Sequence, residues 1–212
     1  MAEIKNIIFD LGGVILNINY NLTSKYFENL GAVNFDKLYS QAKQEDIFNK
    51  FETGQISPSI FRQELNSLMK LNISDEKFDI SWNAMLLDLP VKRLELIKSL
   101  NTSYNIFLLS NTNEIHIKAF KKIINKEIGY SNFTSSFKKC YYSSEIGLRK
   151  PNIDCFNFVL KQNNLNAHET LFIDDSNQHI KGANKAGLKT YYLKKNEDLT
   201  NVFPDTIQLK LR

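Results

Sequence analysis

Cysteine is nearly absent: Cys140 and Cys155 are the only two among 212 residues, and neither sits in a C-x-x-C motif or a Cys/His ligand spacing. Both are read as reduced bystanders. Charge of one sign is not in excess either, with 27 basic against 23 acidic residues. The Lys121-Lys122 and Lys194-Lys195 pairs are too short for a basic patch and are read as solvated surface, so no nucleic-acid partner is implied. Long apolar runs are missing: nothing approaches the roughly twenty residues of a membrane span. Asp10, Gly12 and Gly13 interrupt the first apolar stretch before it could act as a signal peptide, and the expectation is a cytoplasmic protein with no membrane partner. Internal repeats and low-complexity segments are also lacking. A hydrophobic content of 42% over 212 residues suits one substantial core, or a core with a smaller insertion.

What is present is a repeated grammar. Three apolar runs each end in residues able to bind or react: Ile7 to Phe9 into Asp10, Ile106 to Leu109 into Ser110-Asn111, and Leu171 to Ile173 into Asp174-Asp175. A helical pattern follows each of them; apolar residues recur at Ile117, Phe120, Ile123 and Ile124 after Asn113, and at Ile180 and Ala183 after Ser176, before Gly187. Further strands are expected at Lys139 to Tyr142 and Thr190 to Leu193, and further helices at Val91 to Leu100 and Asp154 to Gln162. The alternation predicts an α/β fold, a Rossmann-like parallel sheet with helices on both faces, whose strand ends converge on one crevice.

Between the first two loops the texture changes. Leu22, Tyr26, Phe27 and Leu30 form one helical face ending at Gly31, and Phe35, Leu38, Tyr39 and Ala42 begin another. Ser57-Pro58 reads as an N-cap with proline at the first helical position, followed by Phe61, Leu65 and Leu68. A last helix carries Phe78, Trp82 and Met85, read as its core rather than as a stacking platform. The predicted organisation is a discontinuous α/β core, residues 1–16 and 89–212, with a helical cap at 17–88 placed as a lid over the crevice.

The polar groups at the strand ends make a phosphate site. A carboxylate at Asp10 can attack phosphorus and divide one hard hydrolysis into two easier steps. Asp10 with Asp174 and Asp175 concentrates negative charge that calls for a hard cation, and Mg²⁺ fits one or two carboxylates plus a phosphoryl oxygen. Ser110, backbone N–H groups and Lys150 would bind the remaining phosphoryl oxygens. Taken singly, each residue has a structural alternative: a turn acid at Asp10, N-caps at Ser110 and at Asp174-Asp175, a surface lysine at Lys150. Their joint occurrence, in order and after buried strands, favours chemistry. His116, just beyond Ser110-Asn111, is read as packing or capping a helix start, with proton donation into the crevice as the auxiliary alternative. His168 and His179 receive no role.

These motifs resemble the haloacid dehalogenase-like hydrolase superfamily over essentially the whole chain: Phe9 to Ile15, Leu108 to Asn113, Gly147 to Pro151, and Ile173 to Ser176 with Gly182-Ala183 and Gly187 downstream. Phe51 to Ser57 is similar to the family's small helical cap. The resemblance implies Asp10 as nucleophile and Mg²⁺ ligand, the Gly12 carbonyl as a second ligand and Asp175 as a third, with Asp174 close by or acting through water. It implies Ser110 and Asn111 on phosphate, Lys150 on both phosphate and Asp10, and substrate choice by the cap. The departure is Gly12, where most phosphatases of the superfamily carry a proton-transferring aspartate. One reading is a phosphatase whose leaving group needs less help, such as glucose 1-phosphate, or whose proton comes from water or a cap residue. Others are a metal-independent dehalogenase, a binding module for a phosphorylated metabolite, and a phosphomutase. The acidic pair argues against the dehalogenase, Asp10 with Lys150 against the binding module, and the missing acid against the mutase.

Overall fold

Short apolar runs become the strands of one parallel sheet. The computed structural model describes residues 3–33, 35 and 46–203. The strands are β1 (Asn6–Phe9), β2 (Asn105–Ser110), β3 (Lys139–Tyr142), β4 (Thr170–Asp174) and β5 (Lys189–Tyr192), in the order β3-β2-β1-β4-β5. All four pairings are parallel, with Phe9 in register with Leu108 on one side and Ile173 on the other. The chain winds outward from β1 in one direction and then in the other, so β1 is the topological switch point, where open α/β sheets bind ligands at the carboxyl edge.

The buried runs divide by alternation. Ile7, Phe9, Ile106, Leu108, Leu171 and Ile173 face one apolar cluster, while Ile8, Phe107, Leu109 and Phe172 face another, as period-two strands buried on both faces must. The helices are α1 (Tyr20–Asn29), α2 (Asp46–Glu52), α3 (Pro58–Met69), α4 (Asp75–Asn83), α5 (Val91–Leu100), α6 (Glu114–Glu127), α7 (Tyr130–Thr134), α8 (Ser143–Ile146), α9 (Ile153–Gln162) and α10 (Asn177–Lys185). Leu94 and Ile97 of α5 with Phe120 and Ile124 of α6 close the first face. Phe156 and Val159 of α9 with Ile180 and Ala183 of α10 close the second.

Helices α1 to α4 share a third cluster built from Phe27, Phe48, Phe51, Phe61, Leu65, Phe78 and Trp82, reached from α6 by Ile115. Phe51 stacks on Phe61 at 4.0 Å between centroids, and Trp82 meets Phe61 edge-on at 4.9 Å. The Ser57 cap forms as expected, its hydroxyl accepting from the Ile60 N–H. The helix expected to continue from Phe35 through Leu38, Tyr39 and Ala42 lies outside the described residues. Helix α2 and the short α7 and α8 are additional to the expected elements; at seven, five and four residues they carry too few turns to show a periodicity. Among the described residues no helix is long and apolar enough to cross a membrane.

Candidate active site

Charged residues gather at the carboxyl edge of β1 and β4. The Asp10 N–H donates to the Ile173 carbonyl at 2.9 Å, so the carboxylate leaves β1 alongside the end of β4. The loop then folds back, with Ile15 and Leu16 both donating to the Leu11 carbonyl at 2.8 Å. Gly13 takes φ +78°, and a Cβ there would lie 2.2 Å from Asp175 Oδ2. Only glycine permits both that backbone and that approach. At Gly12 an added Cβ meets nothing nearer than Ile18 Cδ1, at 3.2 Å.

Lys150 organises the floor. Its side chain is fully buried, and Nζ lies 2.8 Å from Asp10 Oδ1 and 2.8 Å from Asp174 Oδ2. Burial disfavours its charge, but the two carboxylates outweigh burial and push its pKa above the ordinary lysine value. Asn111 holds the lysine's own backbone: its amide donates to the Lys150 carbonyl at 2.8 Å and accepts from the Lys150 N–H at 2.9 Å. The Asn111 side chain thus fixes the Lys150 backbone, and Asn111 also lines the cavity, where the expectation places it on phosphate.

The two acids at the end of β4 divide their work. Asp174 is wholly buried; its Oδ1 accepts from the Ser176 N–H at 2.7 Å, Oδ2 accepts from Lys150, and His179 Nδ1 lies 3.0 Å from each oxygen. Burial works upward on its pKa, yet Lys150 and His179 hold it below the usual carboxylate range. Asp175 instead lines the cavity. Burial, reinforced by the charges of Asp10 and Asp174, lifts its pKa to about 7, and burial also raises Asp10 despite Lys150.

That crowding tests the site for a cation. Asp10, Asp174 and His179 offer donor atoms within 4.8 Å of one another, but the Lys150 ammonium already sits between the two carboxylates. A second cation there would meet a like charge. On the open side, Asp10, Gly12 and Asp175 line one cavity of about 180 Å³, and two carboxylates whose pKa values are raised by burial and mutual repulsion are a donor set that a hard divalent cation satisfies.

Not every expected residue reaches this cavity. Ser110 ends β2 and is buried, outside the lining. His116 faces the helical cluster instead of the crevice: its ring stacks on Trp82 at 5.1 Å, Nδ1 pairs with Asn113 and Nε2 with the Trp82 carbonyl. Burial lowers its pKa to about 4, so it serves as packing and not as a proton donor to the crevice. Tyr20, Glu52, Arg149, Gln178 and His179 also line the cavity and went unassigned from sequence. Glu52 and Arg149 lie inside the Phe51 to Ser57 and Gly147 to Pro151 segments, where an acid and a guanidinium are visible as residue types. His179, five residues beyond Asp174, carried no spacing signal. Glu52 Oε2 lies 3.0 Å from Arg149 Nη2, and Arg149 also donates to Asn49. Helix α2 is brought to the core at the next turn, where a Cβ on Gly54 would lie 2.3 Å from the Ser144 carbonyl.

Comparison with known proteins places this geometry among enzymes. The profile of a family described as haloacid dehalogenase-like hydrolase matches residues 7–193. A protein named D-ribitol-5-phosphate phosphatase from Bacteroides thetaiotaomicron is 30% identical over 195 residues, covering 89% of this chain and 91% of the relative. Among solved structures, a HAD family enzyme of the same organism, an aspartate-to-alanine variant in complex with magnesium and inorganic phosphate, superposes with a TM-score of 0.85 at 33% identity, covering 93% of this chain and 98% of that one. A HAD-like family hydrolase from Porphyromonas gingivalis gives a TM-score of 0.82 at 28% identity, over 92% and 94% of the two chains.

Proposed function

The chain belongs to the haloacid dehalogenase-like hydrolase family and is a Mg²⁺-dependent phosphoric monoester hydrolase; from that premise we propose that Asp10 accepts the phosphoryl group of a small polyol or sugar phosphate. The observation that carries this reading is the Lys150 bridge. One Asp10 oxygen is held at 2.8 Å by a buried ammonium that also fixes Asp174, while Asp10 borders the cavity beside Asp175 and Asn111.

Asp10, the Gly12 carbonyl and Asp175 would hold the cation, and Asp174 keeps Lys150 and His179 in place. When bound, Mg²⁺ supplies positive charge to the carboxylates and to the phosphoryl oxygens. Asp10 attacks phosphorus to give an aspartyl-phosphate, which water then hydrolyses. Lys150 stays charged throughout and offsets the negative charge that develops on the phosphoryl oxygens. Asn111, which lines the cavity, and backbone N–H groups after β2 would complete the phosphate cradle, with Ser110 buried outside the lining. Helices α1 to α4 act as the cap expected of the 17–88 segment, and Tyr20 and Glu52 line the cavity from it.

A cavity this small and polar suits a compact hydroxylated substrate. The relative named for D-ribitol 5-phosphate supports a terminal polyol phosphate, whose alkoxide is a poor leaving group. That favours a supplied proton over the anomeric leaving group of glucose 1-phosphate. Purified protein is assayed for phosphate release from ribitol 5-phosphate, glucose 1-phosphate and p-nitrophenyl phosphate, with Mg²⁺ or with chelator. Mg²⁺-dependent turnover with preference for the terminal polyol ester is expected. Turnover of glucose 1-phosphate alone would restore the anomeric reading, and no turnover of any ester would overturn the phosphatase.

A further inference from the structure

Hydrolysis of an alkyl phosphate needs a proton delivered to the departing oxygen and one removed from the attacking water, and the loop after β1 carries no group for either at Gly12. The carboxyl groups that line the cavity are Asp10, Asp175 and Glu52. Asp10 is committed to phosphorus and Asp175 to the cation, while the buried Asp174 is engaged at both oxygens. Glu52 remains. It ends α2, and its side chain is mostly buried, with Oε2 3.0 Å from Arg149 Nη2; among the described residues that oxygen accepts no hydrogen bond.

We propose that Glu52 is the catalytic acid and base that the strand-end loop lacks. Protonated, it delivers its proton to the ester oxygen as the phosphorus–oxygen bond to the alcohol breaks and the bond to Asp10 forms. As a carboxylate beside Arg149, it then takes a proton from the water whose oxygen displaces Asp10, and inorganic phosphate leaves. The environment suits both states. Burial raises the carboxyl above its ordinary pKa, against the opposing charges of Arg149, Lys150 and His179, and the guanidinium stabilises the anion once the proton is gone. The position also ties chemistry to closure, because Glu52 belongs to the helices α1 to α4 and Arg149 to the core.

The proposal rests on the phosphatase reading, and leaving-group dependence tests the two separately. Glu52→Gln and wild-type protein are compared with Mg²⁺ on ribitol 5-phosphate and on 2,4-dinitrophenyl phosphate, whose phenolate departs without a proton. Turnover of the polyol ester is expected to fall by roughly 10²–10⁴-fold, while the burst of dinitrophenolate persists within a few-fold and phosphorylated Asp10 accumulates in intact-mass spectra. The basic limb of the wild-type pH profile for the polyol ester should disappear in the variant. Gly12→Asp in the Glu52→Gln background should restore polyol turnover at least tenfold, since a side chain at 12 displaces only the Ile18 methyl. Should Glu52→Gln fold poorly, Glu52→Asp keeps the charge opposite Arg149 and should show the same leaving-group dependence with a smaller loss. Equal losses on both esters without accumulation would reduce Glu52 to a tie for Arg149 and overturn the proposal. So would leaving-group dependence appearing in His179→Asn and not in Glu52→Gln. A wild-type protein inactive on both esters would instead overturn the phosphatase reading.

Discussion

Lys150→Met removes the one positive charge that holds Asp10 and Asp174 together while nearly keeping the side-chain volume. Each contact is 2.8 Å long, which at an effective dielectric of 20 corresponds to about 6 kcal/mol of attraction. Desolvating buried ions costs several kcal/mol each, so the net penalty of deleting one partner is about 3–5 kcal/mol. At roughly 2–4 °C per kcal/mol for a domain of this size, the melting temperature should fall by about 6–20 °C at pH 7.5 without metal. The sign with pH follows from Asp174. Its folded pKa is depressed, so its contribution is fully present above the ordinary carboxylate pKa near 4 and is lost as pH falls through the depressed value. The gap between wild type and variant should therefore narrow below about pH 4, and added Mg²⁺ should recover part of it at pH 7.5. Circular-dichroism melts across pH, with and without Mg²⁺, supply the measurement. A melting temperature within 2 °C of wild type at pH 7.5, or a gap that widens on acidification, would refute the reasoning.

His116 has a folded pKa of about 4, lowered by burial from the usual 6.5, so its contribution to stability is full above pH 6.5 and is lost as pH falls toward 4. Over that window it amounts to about 3 kcal/mol, and urea unfolding of His116→Gln should show a correspondingly flatter pH dependence than wild type; parallel curves would contradict it. Gly13→Ala forces a side chain into left-handed backbone and against Asp175, costing about 1–2 kcal/mol and raising the Mg²⁺ concentration for half-maximal activity at least tenfold. An unchanged Mg²⁺ titration would remove Asp175 from the cation site. Phe61→Ala empties the centre of the third apolar cluster and should destabilise by about 3–5 kcal/mol, measured by chemical denaturation; a loss under 1 kcal/mol would mean that these helices repack freely.

Much of the fold is legible because its signals are local. Ile7 to Phe9, Ile106 to Leu109 and Leu171 to Ile173 are strands buried on both faces, and such strands read as continuous apolar runs. Ser57-Pro58 marks a helix start through chemistry that acts within four residues. Asp10, Lys150 and Asp174 are recognisable because each lies at or beyond the end of a strand that the topology brings to the same edge. The pairing of His179 with Asp174 was not legible, since it depends on the direction α10 takes after the loop. Nor was the pairing of Asn111 with the Lys150 backbone, or the turn of His116 toward Trp82, because each follows from contacts between segments distant in the chain.

By itself the sequence determined the parallel α/β class, the order of the strand-end acids, and the absence of a carboxyl at position 12. Those are properties of periodicity and residue type. Only the tertiary structure decided which acid is buried against Lys150 and which borders the cavity, and only it brought Glu52 of α2 and Arg149 of the core to 3.0 Å of each other. Local sequence sets where a backbone enters and leaves an element, but packing between elements sets where side chains point. For this chain, what can replace the missing carboxyl at Gly12 is decided by that packing.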